Sequence, residues 1–118
     1  MVAALNKVRA KHGARRLHVS ASLRRSSRRY AVWMLKHDYF GHRRHIGVPR
    51  RFRSAGEALA IHDGWRPRWR LVVRAWMRSR PHRRLLLDRR FRWIGVSFAR
   101  GRMGRARATT WVAHLGSL

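Results

Sequence analysis

Only four side chains in this 118-residue sequence carry an acid, and one of them, Glu57, stands in the short apolar run Gly56-Glu57-Ala58-Leu59-Ala60. A carboxylate there needs partners, because an unpaired charge withdrawn from water is costly. Histidines and arginines are abundant enough to supply them, and the plainest role for Glu57 is a buried acid that ties loops together by hydrogen bonds. A second pair, Ser79 and His82, has the residue types of a nucleophile and its base, which need only a hydrogen bond between them. Against this, Pro81 lies between the two, no orienting aspartate is evident, and no Gly-x-Ser-x-Gly elbow occurs. Cysteine is absent, which excludes disulfides, thiolate metal sites and a cysteine nucleophile. His12, His18, His37, His45 and His62 lie in polar or arginine-rich surroundings and read as surface residues. His114 shares a strand face with Val112 and reads as a hydrogen-bonded structural residue.

The length predicts one domain, 1–118, with a single core. Six tryptophans, four phenylalanines and 45% hydrophobic content argue against disorder despite the charge. The balance is 30 Lys+Arg against 4 Asp+Glu, formally +26; lysine occurs only at Lys7, Lys11 and Lys36, so arginine supplies the other 27. Such a charge attracts nucleic acid, anionic lipid or an acidic cell-wall polymer at long range. The plainer reading is codon bias in a GC-rich genome, since the arginines are spread along the chain and not gathered in one arm. No run of about 18 apolar residues is present to span a membrane.

The elements that must position these residues follow from periodicity. Val2, Leu5 and Val8 predict a first helix ending at Gly13. Ser20 is placed to cap a second, whose inner face carries Leu23, Ser27, Tyr30, Ala31 and Met34, with Arg24, Arg25, Arg28 and Arg29 as a solvated face. Residues 37–55 read as loop, and Glu57, Leu59 and Ile61 share one side of an extended piece. Pro67 falls in the first turn of a third helix, whose Trp69, Val72, Val73 and Trp76 make the clearest amphipathic stripe in the chain. Pro81 ends or redirects it, and 82–87 form a short further helix. Ile94, Val96 and Phe98 alternate into a strand, Gly101 to Gly104 reads as a turn, and Thr110 to Leu115 pairs back as a hairpin. These periodicities alone give α+β with a C-terminal hairpin.

The stretch WMRSRPHRRLLLDRRFRWIGV, Trp76 to Val96, resembles the signature of the CAP superfamily of cysteine-rich secretory proteins, antigen 5 and pathogenesis-related proteins. Bacterial members often read W-M-x-S-x-x-H-R-x-x-L-L-(N/D)-x-x-F-x-x-I-G-V at this place. The opening Leu5, Asn6, Arg9 and Gly13 are similar to the family's L-N-x-x-R-x-x-x-G. Met34, Phe40 and His42 resemble M-x-x-x-x-x-F-x-H, and Gly56-Glu57-Ala58-Leu59-Ala60 resembles G-E-N-(I/L)-A with Ala58 in place of Asn. Trp111 and Gly116 match the terminal strand, where His114 stands at a position commonly acidic.

The resemblance implies a three-layer α-β-α sandwich of the CAP type with a C-terminal β-hairpin, in its bacterial, cysteine-free form. It also implies a cleft lined by His42, Glu57 and His82, the matches to the first histidine, first carboxylate and second histidine of the family. The second carboxylate has no counterpart, Ser79 being the nearest residue. In several members the two histidines hold zinc, and by that likeness His42 and His82 are the metal ligands here, with Glu57 as a third candidate. No catalytic residue is assigned. The expected function is binding of an unidentified ligand in this cleft, with or without a divalent metal such as zinc, in an exported or envelope-associated monomer. The alternatives are an arginine-rich polyanion-binding module and a hydrolase using the His/Glu cleft. The sequence as it stands turns polar after Leu5 and has no signal-peptide core. A leader upstream, or a misplaced start, is therefore expected.

Overall fold

The computed structural model describes residues 1–118. Four helices and four strands follow in the order α1 (Val2–Lys11), β1 (His18–Val19), α2 (Ala21–Lys36), β2 (Ser54–Asp63), α3 (Trp69–Arg78), α4 (Arg80–Leu86), β3 (Trp93–Met103) and β4 (Ala106–Ser117). The strands form one sheet in the order β1-β3-β4-β2, antiparallel except for the short parallel pairing of β1 on β3.

Each long strand sends alternate residues to opposite faces, and both faces are covered. On one, Leu5 of α1, Val72 and Trp76 of α3 and Leu86 of α4 pack on Ala58, Ile94, Trp111, Ala113 and Leu115. On the other, Tyr30, Ala31 and Met34 of α2 pack on Leu59, Ala99 and Val112. The result is the expected α-β-α sandwich. Strand β4, in the middle of the sheet, is accordingly buried without a break from Ala108 to Gly116, including the polar Thr109, Thr110 and His114.

The side of β3 that faces α2 reads Gly95, Ser97, Ala99, Gly101, a row of small residues that lets the helix backbone come close. At Gly95 the approach is closest, since a Cβ there would lie 2.1 Å from the Arg24 amide nitrogen and 2.2 Å from the Leu23 carbonyl carbon. Ser20 caps α2 as predicted, its side chain accepting from the Leu23 amide. Thr110 in turn donates to the Ala31 carbonyl at 2.9 Å.

Several elements differ from the sequence expectation. The hairpin turn is shorter than Gly101–Gly104: Gly101 remains in β3 opposite Ala108, and pairing continues to Met103 opposite Ala106. Only Gly104 and Arg105 make the turn, with Gly104 at φ 60°, where glycine costs least. Pro67 precedes α3, which begins at Trp69 after Arg68; α3 ends at Arg78, and Pro81 sits in the first turn of α4, where the chain is redirected as expected. Strand β1 has no sequence signal because it is two residues long and pairs only through its backbone. His62 is buried, not superficial, and accepts the Trp111 indole N–H at 3.0 Å.

Arg9 departs furthest from a solvated arginine, being fully buried. Its guanidinium donates to the carbonyls of Arg15 (2.8 Å), Leu86 (2.8 Å), Asp88 (3.1 Å) and Phe91 (3.0 Å), which stitches α1 to the segment between α4 and β3. A planar fork with five N–H donors suits this role, and the stem is long enough to reach from the helix.

Gly95→Ala should lower stability by about 3 kcal/mol, because the obstructing atoms are helix backbone and cannot rotate away. Urea unfolding checks this, with Gly47→Ala as a comparison, where no atom lies within 4 Å of the added carbon and φ is not positive.

Candidate functional site

Glu57 lies on β2 directly opposite His114 of β4, and His114 lies directly opposite Gly95 of β3. All three therefore face α2 in one row across the sheet. The Glu57 side chain is only 4% exposed, and each oxygen meets an imidazole: Oε2 takes His114 Nε2 at 2.7 Å and Oε1 takes His42 Nδ1 at 2.8 Å. On its other side the His114 ring meets the Ser26 hydroxyl of α2 at 2.7 Å. That hydroxyl donates to the Leu23 carbonyl at 3.0 Å, so its oxygen faces Nδ1 as an acceptor. The buried His114 ring thus sits between two acceptors, a hydroxyl and a carboxylate.

His42 reaches the same carboxylate from the loop after α2. Tyr30 donates its hydroxyl to the Gly41 carbonyl and Tyr39 donates to the His42 carbonyl, which pins the loop on both sides of the ring. Trp33 stacks on Tyr30 and carries the Arg43 guanidinium 4.2 Å over its own ring. With Nδ1 engaged by Glu57, the half-exposed imidazole presents Nε2 outward.

His82 stands on α4, where Nδ1 meets the Ser79 hydroxyl at 2.9 Å. Pro81 between them does not prevent this contact, because the helix starting at Arg80 brings residues three apart onto one side. Burial, and then the nearby charge of His42, depress the His82 pKa below the ordinary value and keep the ring neutral. Of the three residues proposed from sequence, His42 and Glu57 are thus hydrogen-bonded, whereas His82 bonds to Ser79 and reaches the others only through the electrostatic effect of His42.

The carboxylate itself is fully occupied. Burial alone would raise the Glu57 pKa, but hydrogen bonds from His114 and His42, with their charge, hold it below the ordinary carboxylate value. Glu57 is therefore ionised and stands behind His42 as its support, which changes its expected role as a metal ligand. No set of three or more His, Asp or Glu side chains converges as a metal cage. The two imidazoles named from the sequence each have Nδ1 held by a hydrogen bond, His42 to Glu57 and His82 to Ser79.

Sequence reading did not find that His114 and Ser26 complete the Glu57 site. The available signal was the register: a histidine buried opposite the only glutamate in the chain.

Residues 2–115 match the family model for the cysteine-rich secretory protein family, CAP. No curated protein sequence matches the chain. Among solved structures, the chain is similar to an outer surface protein from Borrelia burgdorferi, with 18% identity, TM-score 0.79, and coverage of 98% of this chain and 88% of that one. It is also similar to an extracellular protein containing an SCP domain from Bacillus anthracis, with 20% identity and TM-score 0.75 over 97% of this chain. There it spans 38% of the longer protein. BmVAL-1 shares the fold at 18% identity and TM-score 0.67, over 98% of this chain and 73% of that one.

Glu57→Gln should cost about 3 kcal/mol at pH 7, because it leaves the buried ring of His114 facing an amide in place of a carboxylate. The fold favours the ionised Glu57, so its contribution is complete above the ordinary carboxylate range of about pH 4.3 and is lost as pH falls through the lower folded value. Urea unfolding at pH 7 and at pH 3 checks both points, and the difference between wild type and Glu57→Gln should shrink at the acid end.

Proposed function

This chain belongs to the cysteine-rich secretory protein (CAP) family, and on that premise we propose that it is exported and binds a small ligand at the His42–Glu57–His82 face, through a divalent metal seated on the two histidines. The observation that carries this reading is the 2.8 Å bond from the His42 ring to a buried, ionised Glu57. A carboxylate behind an imidazole fixes its tautomer and raises its basicity, the arrangement that suits a ring for metal binding. Because Glu57 is committed to His42 and His114, the protein contributes two ligands, and the ion keeps positions open for an incoming group. A bound zinc ion supplies a Lewis acid at such a position. Around it, Glu57 orients His42, Ser79 orients His82, and the aromatic cluster of Tyr30, Trp33 and Tyr39 holds the loop.

The likeness to an extracellular SCP-domain protein and to an outer surface protein supports an envelope or extracellular location. A hydrolytic reading draws on the Ser79–His82 bond, yet no acid lies behind His82 to orient it as a base, so binding is the better reading.

Zinc titration by calorimetry at high salt tests the proposal. The wild type should bind one ion, with loss of binding in both His42→Ala and His82→Ala. Glu57→Gln should weaken it by roughly 10- to 100-fold through the lost support of His42. Absence of zinc binding in the wild type would overturn the metal reading.

A further inference from the structure

We propose that the depression between the end of α1 and the start of β3 is a binding site for a phosphate group. It encloses about 480 Å³ and is lined by Gly13, Arg15, Arg89, Arg90 and Arg92. Buried Arg9 lies close enough for the charge of Arg92 to act on it. The one carboxylate nearby, Asp88, is spent on Arg90, whose Nη2 it meets at 2.8 Å. Arg9 is satisfied by carbonyls, and the charge of Asp88 acts on it more strongly than that of Arg92. With four arginines lining it and Asp88 as the one carboxylate nearby, the depression holds an excess of positive charge.

A second observation separates this place from the rest of the arginine surface. The Nε–H of Arg92 is buried and has no hydrogen-bond partner, the one such side-chain atom in the protein. An unmet buried donor is costly, and Arg92, which lines the depression, carries one for which the protein supplies no acceptor. Gly13, at φ 72°, allows Arg89 in: a Cβ there would lie 3.1 Å from Arg89 Nη2. Arg89 in turn makes only a long 3.4 Å bond to the His12 carbonyl.

The shape of the donor set selects the ligand. A carboxylate offers two oxygens and one charge, whereas a phosphate offers three or four oxygens and up to two charges, the better match to Arg15, Arg89 and Arg92 together. A similar depression beside α2, lined by Arg24, Arg25, Arg28 and Arg29, has no orphaned donor, and Arg28 is already bonded to the Phe98 carbonyl at 3.0 Å. It serves as the internal control for diffuse charge.

Pyrophosphate binding, followed by calorimetry at roughly physiological salt, where exposed charges are screened beyond about 8 Å, tests the site. The wild type should bind at a single saturable site. Arg92→Lys keeps the charge but removes the Nε–H donor, and Arg89→Ala removes one exposed arm; each should weaken binding roughly tenfold. The paired control Arg25→Ala with Arg29→Ala should bind within about twofold of wild type, since it removes charge outside the depression. Equal weakening in control and site variants, wild-type affinity in both Arg92→Lys and Arg89→Ala, or no saturable binding would overturn the proposal. Should Arg92→Lys fail to fold, exposed Arg89→Ala decides. Competition by oligothymidylate or by phosphatidic-acid vesicles identifies a phosphate carried on a nucleic acid or on a lipid, and competition by neither identifies a small free phosphate compound.

Discussion

The carboxylate of Glu57 has been taken out of water, and each of its oxygens must be met by a donor. Much of the architecture follows from that requirement. One donor comes from the neighbouring strand, where register alone brings His114 opposite Glu57. The same register sets Gly95 opposite His114, and the missing side chain at Gly95 lets the first turn of α2 settle onto the sheet. Only at that depth does Ser26 reach the far side of the His114 ring. A glycine on one strand thus supports a hydrogen-bond chain that ends in the half-exposed His42, three elements away.

The charge balance makes this arrangement more demanding. In a chain of formal net charge +26, self-repulsion opposes the compact state, and three of the four side-chain carboxylates are committed to specific partners. Asp88 pairs with Arg90, Asp38 accepts the Gly104 amide at the hairpin turn, and Glu57 serves two histidines. Arg9 solves its burial differently, with carbonyl oxygens alone. That choice avoids a second buried acid and locks α1 against the segment leading into β3, but leaves a positive field beneath Arg15, Arg89 and Arg92.

Around Glu57 the chain departs from the pattern that the family resemblance implies. Where a second carboxylate is common, the helix end supplies Ser79, which holds His82 by a neutral hydrogen bond. At the strand position commonly acidic stands His114, which supports Glu57 from within. The Glu57 site accordingly has one anion, two histidines bonded to it and the Ser26 hydroxyl behind His114.

Local patterns in the amino-acid sequence determined the helices, the alternating strands and, through the ungapped run from Trp76 to Val96, the family and its sandwich. Those features are short-range: a capping serine, a stripe at helical spacing or alternation along one strand can be read within about a dozen residues. Tertiary structure alone decided the partners of charged and polar groups. Arg9 looks like any other arginine in this chain until α4 and β3 bring four carbonyls around it. His114 reads from sequence as a hydrogen-bonded structural residue, and strand pairing names its partner as Glu57, 57 residues away. Glu57 looks like a third metal ligand until both of its oxygens are found occupied. The hairpin turn and two-residue β1 were hidden for a related reason, since backbone pairing depends on the strand alongside and not on the side chains that a sequence displays.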